Sequence, residues 1–139
     1  MTLRITTSPS EAEIEQIYQS LLTYNLQFFN EDIHSPLAVF YEREGKILGG
    51  ITGSKLGNWL RIKYLWLDES LRKQGIGTQL IQAMEDKAKQ LGAKYAEVDT
   101  FSFQAKPFYE KQGYQIISTL IEYPVQHEKY YFMKKLSCS

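Results

Sequence analysis

Two neighbouring stretches decide the fold: Trp59-Leu60-Arg61-Ile62-Lys63-Tyr64-Leu65-Trp66-Leu67, rich in aromatic and aliphatic side chains, and the glycine-bearing Leu71-Arg72-Lys73-Gln74-Gly75-Ile76-Gly77-Thr78. The first reads as a strand. The second opens a helical stripe of Ile76, Leu80, Met84, Ala88 and Leu91, with Gly92 as its stop. Tyr95 to Thr100 then reads as another strand. A strand, loop, helix and strand from Trp59 to Thr100 have the length of a right-handed crossover, which predicts that the two strands are parallel neighbours.

Before this unit the signals are those of an antiparallel meander. Glu44-Gly45 and Gly57-Asn58 are turn dipeptides separating strands predicted at Ala38 to Arg43, Lys46 to Lys55 and Trp59 to Leu67. Glycines 49, 50 and 53 predict a bulge or a close backbone approach in the middle strand. Asn30 to Pro36 reads as a loop. Earlier still, Ser8-Pro9-Ser10-Glu11 offers an N-cap, a proline at N1 and a capping-box glutamate. The helix it starts carries Ile14, Ile17, Tyr18, Leu21, Leu22 and Leu26 to about Phe28 or Phe29, after a short strand over Leu3 to Thr7. After the crossover, Gln104 to Gln112 reads as a short helix with Pro107 in its first turn and Gly113 at its end. Strands near Tyr114 to Glu122 and Lys129 to Leu136 follow. The expected class is mixed α+β, mostly antiparallel, in a single domain over residues 1–139.

Composition narrows the function classes. A chain of 139 residues with 43% hydrophobic and 14% aromatic residues has enough apolar side chain for one core. Sixteen basic and sixteen acidic residues leave no global field to hold a nucleic acid or an anionic membrane. The single cysteine, Cys138, excludes an intrachain disulfide framework. With two distant histidines it gives no zinc-type ligand spacing, so no metal is expected. The N-terminus lacks the apolar core of a signal peptide and no apolar run approaches the roughly 18 residues of a membrane span, so a cytoplasmic location is expected.

The turn at residues 71–78 has neither the spacing of a Walker A loop nor that of a dinucleotide fingerprint. Its two glycines let backbone approach a ligand. Converging amides and a helix N-terminus carrying about half a positive charge suit a pyrophosphate, and Arg72 and Lys73 add positive charge. A tight strand-to-helix connection would also explain the glycines.

The pattern Arg72-x-x-Gly75-x-Gly77 resembles the acyl-CoA pyrophosphate loop of the GNAT superfamily of N-acetyltransferases. Gln104-Ala105-Lys106-Pro107-Phe108-Tyr109-Glu110-Lys111-Gln112-Gly113-Tyr114 resembles that superfamily's Ala-x-x-Phe-Tyr-x-x-x-Gly-Phe/Tyr block. With both segments at the right distance, the chain is identified as resembling a small single-domain member. The resemblance implies a three-layer fold: a twisted, mostly antiparallel sheet flanked by helices, whose central parallel strands splay to hold acyl-CoA. It implies acetyl-CoA as co-substrate, a primary amine of a small molecule or a protein as acceptor, no metal, and a possible homodimer.

By the same resemblance, amides of Arg72, Lys73, Gln74, Gly75, Ile76, Gly77 and Thr78 hold the diphosphate, and backbone at Leu65 and Leu67 pairs with pantetheine. Ser102 occupies a position where the family often carries asparagine. Tyr109 stands near the thioester sulfur as general acid, a phenol of pKa about 10 serving a thiolate of about 8.5; the alternative for Tyr109 is a core aromatic. The glutamate that many relatives use as base is absent from Trp59–Leu67. Glu97 and Asp99, on one face of the next strand, are the substitutes, with a relayed water as another route. Cys138 has no activating neighbour, which favours direct transfer without a covalent intermediate. His34 and His127 read as solvated loop residues, and Glu85-Asp86-Lys87 as a solvated helix face. Phe28, Phe29, Tyr64, Trp66 and Tyr123 stay unassigned. A non-catalytic acyl-CoA-binding module is the competing class.

Overall fold

In a computed structural model, which describes residues 2–29 and 34–136, the chain divides into two compact units, residues 1–33 and 34–139. The first unit holds one helix, α1 (Glu11–Asn25). Its cap is Ser10, two residues later than the sequence suggested. The Ser10 hydroxyl accepts from the Glu13 amide at 3.1 Å while the Glu13 carboxylate accepts from the Ser10 amide at 3.0 Å. Both serines have a glutamate three residues on, Glu11 for Ser8 and Glu13 for Ser10, and the reciprocal pairing forms at Ser10. Those bonds, Ser10's backbone amide foremost, together with Arg4, hold the Glu13 carboxyl below its ordinary range. Residues 3–7 form no strand, and α1 gives way to turns after Asn25.

The second unit is a six-stranded sheet in the order β1-β2-β3-β4-β6-β5, formed by β1 (His34–Arg43), β2 (Lys46–Leu56), β3 (Trp59–Leu67), β4 (Tyr95–Phe101), β5 (Gln115–Leu120) and β6 (Lys129–Lys135). Every pair is antiparallel except β3 with β4. Pro36 lies within β1 rather than in a loop. An edge strand tolerates a proline because one row of its amides faces no partner. His34 is likewise strand. Glu44 and Gly45, both at positive φ, close the first hairpin.

Helix α2 (Ile76–Gln90) buries Ile76, Leu80, Ile81, Met84 and Ala88 against the sheet, whose contribution includes Ile51, Leu60, Ile62, Ala96, Val98 and Phe132. Each large side chain fully buried here is worth roughly 1.5–3 kcal/mol. Leu91 is half-exposed and Ile81 carries the stripe instead. Gly92, at φ 103°, ends α2. Glu85 is buried, not solvated: it accepts from Tyr114 Oη at 2.7 Å and Lys134 Nζ at 2.8 Å, bridging α2 to β6. Burial and the Glu85 charge push the Tyr114 phenol far up. Helix α3 (Lys106–Lys111) follows β4, with Pro107 in its first turn.

Candidate active site

The parallel strands pair only at their start, Trp59 with Tyr95, Leu60 with Ala96 and Arg61 with Glu97. Beyond that they part. The departure coincides with a bulge in β3: Thr52 faces Tyr64 and Gly53 faces Ile62, so Lys63 has no partner in the ladder. Gly53 is required there, since a Cβ on it would stand 2.1 Å from the Arg61 carbonyl oxygen. A second bulge lies in β2, at Leu48. Register shifts thus fall on both sides of β2, leaving Leu48 of β2 and Lys63 of β3 without a partner in the ladder.

Where the strands diverge a cavity of about 280 Å³ opens, walled by Lys63, Tyr64, Leu65 and Trp66 from β3, by Asp99 and Thr100 from β4, and by Tyr109 from α3. A second cavity of about 270 Å³ continues from Leu67 to the turn before α2, where Arg72, Lys73, Gly75, Gly77 and Thr78 meet Phe108, Lys111 and Gln112. Leu65 and Leu67, two residues apart on β3, therefore line the two cavities in turn.

The turn is built to present amides. Lys73 (φ 66°) and Gly75 (φ 79°) are both left-handed, and Gly75 is the N-cap of α2 without a side chain to cap it. Among the described residues, the first amide after Arg72 to find a carbonyl is that of Gln79, which bonds Gly75. The amides of residues 73–78 are left for something else. At a helix N-terminus such a run is an anion-binding nest. Gly77 lets α3 close against the turn: a Cβ there would meet the Phe108 ring at 3.3 Å, and Gln112 Nε2 donates to Thr78 Oγ1 at 2.9 Å. The Gln74 side chain turns back to the Ser70 carbonyl at 2.9 Å.

Tyr109 is 4% exposed and packs edge-on against Phe108 and Tyr114 and tilted against Phe132. No described residue hydrogen-bonds its hydroxyl, and the residue lines the first cavity. Burial, and then the negative charge of Asp99, pushes the phenol up to about 12.

Glu97 and Asp99 do share a face of β4, as alternation required, and the structure separates their surroundings. Glu97 is bonded by Arg61 Nη1 at 2.6 Å and lies outside the cavity lining. Asp99 lines it, with Arg61 Nη2 at 3.6 Å and Lys129 Nζ at 3.7 Å on its two oxygens. Ser102 lines neither cavity. Its Oγ accepts from the Glu128 amide at 3.1 Å while its own amide donates to the Glu128 carbonyl at 2.8 Å, fastening the end of β4 to the start of β6. His127 is an exposed loop residue, as the sequence suggested, with its ring centroid 4.6 Å from that of Phe103. Tyr64 and Trp66 are cavity wall; Tyr123 instead stacks near Phe101. Lys111 and Gln112 were unassigned in sequence and face the turn. Their spacing from Tyr109 on one short helix was the available signal. Cys138 lies outside the described residues, among which no group of His, Cys, Asp and Glu is arranged to hold a metal and no helix is long and apolar enough to cross a membrane.

With this geometry in hand, comparison with known proteins gives concordant matches. The family model described as acetyltransferase (GNAT) family matches residues 3–114. A blasticidin-S acetyltransferase from Streptomyces morookaense is 32% identical over 93 residues, covering 66% of this chain and 68% of the relative. The acetyltransferase Atu2258 of Agrobacterium fabrum is 31% identical over 113 residues, 80% of this chain and 82% of that protein. The crystal structure of an acetyltransferase from Bacillus cereus superposes with a TM-score of 0.81 at 33% identity, covering 96% of this chain and 98% of that one.

Proposed function

The chain belongs to the GNAT family of acetyltransferases and is therefore an acyltransferase, and we propose that it moves the acetyl group of acetyl-CoA directly to a primary amine of a small molecule or protein. The observation that carries this reading is the run of unspent amides over residues 73–78, opening into a groove that ends at a buried tyrosine. The amides of residues 73–78, with Gln74 and Ile76 among them, hold the diphosphate, helped by the charges of Arg72, Lys73 and Lys111, while the Arg72 amide is spent on the Glu69 carbonyl at 3.3 Å. The open edge of β3 at Leu65 and Leu67 pairs with the pantetheine amides, as an extended ligand adds to a sheet edge. Ser102 serves this groove indirectly, by fixing the exit of β4.

Tyr109 then stands beside the thioester sulfur. The amine nitrogen bonds the carbonyl carbon, the carbon–sulfur bond breaks, and charge collects on sulfur. A phenol at about 12 keeps its proton at every physiological pH, so it is always available as a donor. Handing that proton fully to a thiol of roughly 8.5 is uphill by about 5 kcal/mol in the empty site. Tyr109 therefore acts first as a hydrogen-bond donor to the developing thiolate, a role that needs no complete transfer until the charge is formed.

The relative named for blasticidin S puts small-molecule amines first in the acceptor panel. The test is release of CoA from acetyl-CoA in the presence of small amines, peptides and proteins, with the Arg72→Glu, Gly75→Glu double variant as control. Release that depends on one acceptor class and disappears in the control supports the reading. Tight acetyl-CoA binding without release for any acceptor would sink it.

A further inference from the structure

The acceptor's own contact is not yet assigned, and the cavity offers one carboxylate for it. We propose that Asp99 is the subsite for the acceptor's ammonium group, so that the acceptor is a cationic primary amine held by charge in the cavity that Tyr109 lines. The proposal rests on the acetyl-transfer reading and names the group that reading leaves open. An alkylammonium of pKa about 10.4 arrives protonated, and a carboxylate is the group that stabilises it while one proton passes to water. The freed lone pair forms the carbon–nitrogen bond as the carbon–sulfur bond breaks, and the second nitrogen proton makes good the one that Tyr109 gives to the thiolate, so the amide and the CoA thiol both leave neutral at those atoms.

Among the described residues Asp99 is the cavity's only acidic wall. Its field already reaches the Tyr109 phenol, which places it near the reacting end of the groove. Glu97, the other acid on this face, is engaged by Arg61 at 2.6 Å. The protein also demonstrates the chemistry itself. Lys129, an alkylammonium on a tether, rests 3.7 Å from Asp99 Oδ1 and 4.8 Å and 5.3 Å from the ring centroids of Tyr123 and Tyr131. Lys129 is thus a built-in competitor for the acceptor.

Two variants make the idea falsifiable, because they are expected to act in opposite directions. Asp99→Asn, nearly isosteric, should raise the KM for the amine at least tenfold, whereas Lys129→Met should lower it about threefold. CoA affinity, the check on folding, should stay within twofold in both. A purely structural Asp99–Lys129 pair would make both variants worse. Calorimetric titration of the CoA-loaded protein with butylamine and with 1,4-diaminobutane reads the subsite without turnover: binding to wild type, weakened at least tenfold in Asp99→Asn, is the expected result. Equal binding to both proteins, or binding to neither, overturns the proposal. CoA release from acetyl-CoA separately decides whether acetyl is transferred at all.

Discussion

The two ends of the groove are made from different materials. At the α2 end the groups left without a partner are backbone amides, set by two left-handed residues and a helix start, and the side chains nearby mostly brace the turn. At the splayed end the facing groups are side chains, Tyr109 and Asp99, held by packing and by ion pairs. A backbone site is robust to side-chain exchange and vulnerable at its glycines; a side-chain site is the reverse. Under the proposed reaction the contrast matters, because the first end would have only to hold an anion while the second would respond to charge that moves.

The bulge at Lys63 lies where β3 and β4 stop pairing, and the contact that fixes it is backbone, so the largest effect should come from there. Gly53→Val forces a side chain into the Arg61 carbonyl, and should cost roughly 3 kcal/mol and lower Tm by about 10 °C, read by calorimetry. An unchanged Tm would mean that the bulge is not enforced by this contact. Next is Tyr109→Phe, expected to lower kcat about 100-fold while leaving acetyl-CoA affinity alone. Its pH behaviour sharpens the point. Because the folded phenol titrates near 12 instead of 10, the stability it confers is complete below pH 10 and is lost as pH climbs toward 12. Ultraviolet titration of wild type minus Tyr109→Phe should therefore place one phenol at that upper value.

Gly75→Val strains a residue at φ 79° by about 1–2 kcal/mol and should weaken acetyl-CoA roughly tenfold with kcat for the bound complex preserved. The smallest effect belongs to Arg72→Ala, near threefold in affinity, because amides and other cations carry most of the attraction. If that single side chain proved indispensable, the distinction between a backbone end and a side-chain end would collapse.

The backbone end was readable from the sequence and the side-chain end was not. Arg72, Gly75 and Gly77, the bounds of β3 and the first residue of α2 are local matters, written in spacing and turn chemistry within twenty residues. The choice between Glu97 and Asp99 was not local. It depends on Arg61 from β3 and Lys129 from β6, and so on a register that alternation along β4 cannot supply. The same holds for Ser102, whose partner Glu128 is 26 residues away, and for Glu85, whose solvated-looking neighbours conceal a tie to Lys134. At the α1 cap two serines competed, and only the reciprocal geometry with Glu13 selected Ser10.

The three-residue pairing between β3 and β4 gives the sheet four edges instead of two. The outer pair, β1 and β5, end the strand order and are each paired on one side only within the sheet, the position where edge-to-edge aggregation is an ordinary hazard. The inner pair are equally unpaired along Ile62 to Leu67 and Val98 to Phe101, yet they face each other across a space of only about 280 Å³ at its wider cavity. A strand from another molecule would have to wedge between two strands already paired on their other sides, to β2 and to β6. Sticky backbone is thus kept permanently available to a slender ligand while remaining closed to the polymerisation that exposed edges invite.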